Sequence, residues 1–281
     1  MNSNLFEALS KNRPFLIMAH RGFWGGNVPE NSIESVTLAY KAGADVAEVD
    51  VCRSSDGKYY LFHDGSEPRL LGRKENFHSL SSLEIENSVL YNTIGAPSGH
   101  QITSLSTFLD WLPSGKLVNL DRSWKYWEDP HFFDLLSASG KQEQLVLKSP
   151  VEEKWLQDFS NNGIGFYYMP IVEKKQEWDQ VLAYHKVDTI GLELVTMDLH
   201  SSFNTEAKWL EQAKEEGMLF VANAESLGEG FNLFGGESDD TALFDERQWD
   251  AFLQCGIDII QTDWPNFLDA YRKTQNRLVN K

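Results

Sequence analysis

Apolar positions along this chain follow two alternating rhythms. Short, nearly unbroken apolar runs, as in strands buried on both faces, occupy Leu16–His20, Val46–Val51, Leu117–Asp121, Gln144–Lys148, Gly165–Met169, Thr189–Leu194, Met218–Asn223 and Ile257–Thr262. Between them, apolar residues recur at helical spacing over Ser32–Lys41, Leu105–Leu112, Pro130–Ser139, Val151–Asn161, Gln176–Tyr184, Thr205–Glu216 and Glu246–Cys255, with Pro265–Lys273 closing the chain. A strand, a helix and a further parallel strand, repeated eight times, predict an α/β protein built as a single (β/α)8 TIM barrel. Asn31 or Ser32 is placed to cap the first helix.

Two stretches break the rhythm. Residues 53–104 are too long for a simple connection; Ser55-Asp56-Gly57 reads there as a tight turn into a hairpin strand at Lys58–Phe62. The Gly-, Asp- and Glu-rich segment Gly228–Thr241 reads as a long loop after the seventh strand, of the kind that forms lids or substrate walls. With no repeat, linker or low-complexity tract, residues 1–281 are expected to form one domain.

Composition narrows the function. A barrel of this type takes about 250 residues, and 41% hydrophobic content is ample for its core. The net charge of −17, from 42 acidic and 25 basic residues, repels nucleic acid and anionic headgroups, so neither is an expected partner. An anionic substrate would need a locally positive site. Cys52 and Cys255 are the only cysteines, too few for a disulfide framework and wrongly spaced for zinc. The apolar run Phe15–Ala19 is far too short to insert in a membrane, and the expected location is cytoplasmic. Oligomeric state is not legible.

The chemistry concentrates in His20-Arg21-Gly22, Pro29-Glu30-Asn31-Ser32, Glu48-Val49-Asp50 and His63-Asp64. In a barrel the active site lies at the C-terminal ends of the strands, where His20, Glu48, Asp50, Asp121, Lys148, Glu193 and Asn223 all fall, with Asp263 just beyond the last strand. Glu48 and Asp50 stand two apart on one strand and so share a face. Two such carboxylates repel unless a cation lies between them, and hard oxygen ligands favour Mg2+ or Ca2+. The bland alternative is that one of them pairs with Arg21 or Arg53. His20 and His63, each beside a charged neighbour, suit proton transfer near neutrality. His78, His100, His131, His185 and His200 lack such a setting and read as surface residues. Arg21 offers a planar fork to phosphate oxygens, and Lys148 adds a point charge. Gly22–Gly26 is only a weak phosphate-loop signal. Trp24, Trp124, Trp264 and Phe231 either wall the pocket or simply pack.

In order and spacing these motifs resemble the glycerophosphodiester phosphodiesterase family of the phospholipase C-like phosphodiesterases. The resemblance is strongest over residues 16–64 and resumes at Asn119-Leu120-Asp121, Lys148 and Gln261-Thr262-Asp263-Trp264-Pro265. It implies a TIM barrel holding a divalent cation on Glu48, Asp50 and Asp121, with His20 and His63 as the acid–base pair. Arg21 and Lys148 would bind phosphate, Glu30 would hold Arg21, and Asn31 and Glu193 would support the site. Many members carry Glu-x-Lys at the end of the third strand, where this chain has Asp121, Arg122 and Ser123. Lys148 is expected to replace the missing lysine and Arg122 to point away. The implied reaction releases glycerol 3-phosphate and an alcohol from a small glycerophosphodiester: the glycerol 2-hydroxyl attacks phosphorus and expels the alcohol, forming a cyclic intermediate that water then opens. The alternatives are a lysophospholipase D-like activity on a bulkier lipid diester and a barrel that binds phosphodiesters without turnover.

Overall fold

The computed structural model describes residues 11, 13–196, 207–228 and 233–279. Its strands are β1 (Leu16–Ala19), β2 (Val46–Arg53), β3 (Tyr59–Leu61), β4 (Leu117–Asp121), β5 (Leu145–Pro150), β6 (Tyr167–Val172), β7 (Asp188–Thr189), β8 (Gly191–Leu194), β9 (Leu219–Asn223) and β10 (Ile259–Thr262). Parallel pairing runs β1-β10-β9-β8-β6-β5-β4-β2, and β2 returns to β1 through Met18 opposite Val46. The sheet therefore closes into the expected eight-stave (β/α)8 TIM barrel. The sixth stave is split at Ile190 into β7 and β8, both of which pair with β6.

Strand ends depend on partners more than on hydrophobicity. Residues 142–144 form a 3-10 turn, so β5 starts one residue later than expected. It then runs on to Pro150 because Ser149 and Pro150 lie opposite Pro170 and Ile171 of β6. Lys148 is thus inside a strand and does not end one. The hairpin forms as expected, with β3 antiparallel to the end of β2. The rest of 53–104 folds over it around a core of Cys52, Tyr60, Phe62, Phe77 and Ile85. The expected helix Glu246–Cys255 is instead a 3-10 turn, Glu246–Trp249, followed by the short helix Asp250–Gln254. Of the loop at 228–241, residues 229–232 lie outside the described part.

Strand alternation sorts the barrel by depth. Leu16, Met18, Val46, Leu117, Val146, Met169, Val221 and Ile259 fill the floor of the interior. Their outward neighbours Ile17, Ala47, Val49, Val118, Leu147, Ala222 and Ile260 pack with the main core around the helices. Two residues further along each inward file stand His20, Glu48, Asn119, Lys148, Asn223 and Gln261. The interior is therefore apolar at its floor and polar at its mouth.

Candidate active site

The loop after β1 sets the first groups. Arg21 has φ +54°, and Gly22 follows at φ +78°. A Cβ at Gly22 would lie 2.5 Å from Ser35 Oγ, so only glycine fits this approach to the helix Ile33–Lys41. The Arg21 carbonyl accepts from Asn31 N–H and from Ser35 Oγ–H, each at 3.1 Å, which folds the loop back on itself. Ser32, and not Asn31, caps the helix in a capping box with Ser35. Asn31 stands at φ +53° and uses its carboxamide on Asp50: Nδ2 donates to Oδ2 at 2.9 Å, and Oδ1 accepts from Asp50 N–H at 2.8 Å. Glu30 is buried between two guanidinium groups, 2.8 Å from Arg21 Nη1 and 2.7 Å from Arg69 Nη2.

Glu48, Asp50 and Asp121 come together at the mouth, each offering an oxygen within 4.8 Å of the others. Burial, reinforced by the charge of Asp50, pushes the Glu48 carboxyl up to about 8. So buried and crowded a set of oxygens fits a hard divalent cation. Arg21 N–H donates to Glu48 Oε2 at 2.7 Å, and Arg21 Nε lies 3.3 Å from Asp50. The ion-pair alternative therefore coexists with the carboxylate cluster, whereas Arg53 turns away toward Asp129. Lys148 Nζ sits on the interior wall, 2.8 Å from Glu193 and 3.1 Å from Asp121. Asn223 Nδ2 donates to the other oxygen of Glu193 at 2.9 Å.

The two histidines are driven apart. Burial disfavours a charged His20 ring, but the hydrogen bond it donates to Asp263 and the charges of Glu225 and Glu48 outweigh it and push the ring up to about 10. His20 Nδ1 is 2.9 Å from Asp263 Oδ1, while Arg21 Nε donates to Nε2 at 3.1 Å. Only a neutral ring can accept that second bond, so it is lost when His20 is protonated. His63 is lowered, because burial and the nearby Arg21 and Arg122 charges outweigh the pull of Asp50.

Several groups were not anticipated. Arg122, expected to point away, has φ +56° and turns into the mouth, where Nε is 3.4 Å from Asp50 and Nη1 is 2.6 Å from Asp64. Ser123 is buried, donating to Leu120 O at 2.9 Å and accepting from Trp127 Nε1 at 3.3 Å, so it has no role at the mouth. Glu225, two residues past β9, is buried beside His20 with Gln261 Nε2 at 2.8 Å, and burial pushes it up to about 7. Its one legible signal was that it continues the inward file Val221, Asn223. Asp239 accepts from Thr262 Oγ1 and from Asp263 N–H and so fixes the loop that carries Asp263. The cavity, of about 290 Å3, is lined by His20, Arg21, Asp50, His63, Asp121 and Lys148 together with Arg122 and Trp124. Trp24 and Trp264 are not part of its lining, and Phe231 lies outside the described residues. His78 and His100 are partly buried and bonded to Arg53 O and Glu34, whereas His131 and His185 are exposed. His200 lies outside the described residues.

Residues 20–129 match the model of the glycerophosphoryl diester phosphodiesterase family. Over this stretch the chain is similar to that family. The matched stretch carries His20, Arg21, Glu48, Asp50, His63 and Asp121, and solved structures of like fold extend over the remainder. A glycerophosphoryl diester phosphodiesterase from Parabacteroides distasonis is 17% identical with a TM-score of 0.74, covering 97% of this chain and 93% of its own. One from Agrobacterium tumefaciens is 19% identical with a TM-score of 0.69, covering 92% and 99%. An Oleispira antarctica phosphodiesterase, solved in complex with the product sn-glycerol-3-phosphate, is 18% identical with a TM-score of 0.66, covering 91% and 96%. No curated relative matches the chain. Among the described residues no helix is long and apolar enough to cross a membrane.

Proposed function

We propose that this chain, acting as one unit over residues 1–281 in the cytoplasm, is a cation-dependent phosphodiesterase that releases glycerol 3-phosphate and an alcohol from a glycerophosphodiester. One observation carries the reading. Glu48, Asp50 and Asp121 converge, and Asp50 and Asp121 line one cavity of about 290 Å3 together with His20, His63 and Arg21. Mg2+ or Ca2+ on the three carboxylates would supply Lewis-acid charge neutralisation at a phosphoryl oxygen.

The side chains divide the remaining work. His63, held below its ordinary value, suits a proton acceptor from the attacking glycerol 2-hydroxyl. His20, raised by its carboxylate neighbours, suits the donor to the leaving alkoxide, and Asp263 on Nδ1 keeps Nε2 facing the mouth. Arg21 is aimed by Glu30 and supplies a fork to phosphoryl oxygens, with Lys148 adding charge from the wall. Asn31 holds Asp50, while Glu193 with Asn223 faces the space open to glycerol hydroxyls.

Ile171, Val195, Leu227 and Leu233 form an apolar side of the same cavity, which favours a bulkier lipid alcohol as the second reading. Glycerol 3-phosphate release is to be assayed on a panel of glycerophosphodiesters and lysophospholipids, with and without EDTA. Turnover of small diesters that chelation abolishes and Mg2+, Mn2+ or Ca2+ restores is the expected result. Full activity after exhaustive chelation would refute the cation, and a preference for lysophospholipids would establish the second reading.

A further inference from the structure

Among the described residues, the non-glycine positions with φ in the left-handed region are Arg21, Asn31 and Arg122. L side chains rarely adopt this backbone conformation, and where it persists the surrounding structure holds it for a purpose. All three side chains converge on one carboxylate. Asn31 Nδ2 is 2.9 Å from Asp50 Oδ2, Arg21 Nε is 3.3 Å from the same oxygen, and Arg122 Nε is 3.4 Å from Oδ1. Arg21 and Arg122 therefore flank Asp50 from two sides, each delivered by a turn that directly follows a barrel strand.

The two cations beyond Arg21 differ in reach. The Lys148 side chain is 3% exposed and lies between Glu193 and Asp121, so meeting a ligand requires it to loosen contacts of 2.8 and 3.1 Å. The Arg122 side chain is 31% exposed and lines the cavity. It is anchored from behind by Asp64, 2.6 Å from Nη1, and Lys125 holds the other oxygen of Asp64 at 3.0 Å. A guanidinium has five N–H donors, more than Asp50 and Asp64 engage here. Such an anchored fork suits an oxyanion.

We infer that Arg122 is a phosphate-binding residue that forms, with Arg21, a two-guanidinium clamp across the mouth. The inference rests on the functional reading above and adds a residue which that reading leaves out. The ligand chemistry is a phosphate ester carried by substrate and product alike. Arg122 meets Asp50 only at the longer distance of 3.4 Å, so a phosphate oxygen competes readily for its donors.

The test measures the affinity of glycerol 3-phosphate by calorimetry and product inhibition, in the cation-supplied protein, for wild type, Arg122→Met, Arg122→Lys and Arg122→Gly. The glycine variant suits the backbone at φ +56° and guards against a folding defect, with circular dichroism as the check. Mn2+ affinity is measured in parallel. Losing a charged hydrogen-bond donor should weaken glycerol 3-phosphate about 10-fold or more in the methionine and glycine variants. The lysine variant should recover part of the loss, and Mn2+ affinity should stay within about twofold. Unchanged glycerol 3-phosphate affinity in a folded Arg122→Gly overturns the inference. So does tighter Mn2+ binding with unchanged glycerol 3-phosphate binding, which would make Arg122 only a counter-charge to Asp50. A wild type that binds no glycerol 3-phosphate and turns over no diester overturns the functional reading and this inference with it.

Discussion

The floor end of the barrel, outside its apolar interior, and the mouth both bury carboxylates beside guanidinium groups, and the two ends satisfy them differently. At the floor, Asp45 accepts from Ile17 N–H at 2.9 Å and pairs with Arg13 and Arg272. Arg272 also donates to Phe15 O, Gly43 O and Asp269, and Lys273 pairs with Asp269. None of these side-chain atoms is buried without a partner. At the mouth, Asn119 Oδ1, Asn223 Oδ1, Gln261 Oε1 and Glu225 Oε2 are buried without one, and three non-glycine residues hold left-handed backbone. A saturated network locks the ends of the chain to the barrel, joining the segment before β1 to the last helix. The mouth instead retains acceptors, crowded carboxylates and strain, each of which costs stability and each of which a cation, a hydroxyl or a phosphate would relieve.

The largest effect that would sharpen the contrast lies at the floor. Arg272→Met leaves Asp45 and Asp269 short of a partner and should cost about 3–5 kcal/mol of unfolding free energy in urea denaturation. The kcat of the protein that remains folded should not change. A variant that unfolds like wild type would show that the floor network is not what separates the two ends.

Next, His20→Ala and His63→Ala at the mouth should each lower kcat by about 10²-fold or more, the usual scale of acid–base catalysis. The urea midpoint should hardly move. Near-normal turnover would remove that residue from proton transfer, and a collapse in stability would mean that the mouth is also structural.

The smallest effect concerns Glu225, which burial raises from 4.5 to about 7. Between these values the folded carboxyl holds a proton that the unfolded chain has lost. Its contribution therefore falls as pH rises through the window, and the penalty is full above the folded value. Glu225→Gln removes that penalty and should stabilise the cation-free protein by up to about 3 kcal/mol at pH 8 and little near pH 4.5. Urea midpoints across this pH range test it. A gap between variant and wild type that does not grow with pH would show Glu225 to be as well satisfied as the carboxylates of the floor.

Much of this architecture could be read from the chain because strand alternation is a local property. A residue two places beyond an inward apolar residue also points inward, so Glu48, Asp50, Asp121 and Glu193 could be placed on one rim, with His20 and Lys148 beside them. The closing of eight staves likewise followed from repeated strand and helix periods. What alternation cannot reach is any feature settled by a distant partner. Ser149 and Pro150 joined β5 because Pro170 and Ile171 lay opposite them. Asn31 gave up the helix cap to Ser32 because Asp50 offered its side chain two hydrogen bonds. Arg122 turned inward because its backbone took a left-handed turn and Asp64, 58 residues away in sequence, received its guanidinium. The tautomer of His20 rests on Asp263, 243 residues further on. The sequence by itself determined the barrel, its polar rim and the residue types gathered there, because periodicity acts over neighbouring positions. Only the tertiary structure decided which charges pair, which remain open to a ligand and which proton each histidine holds, because those energies depend on distances between strands remote in the chain.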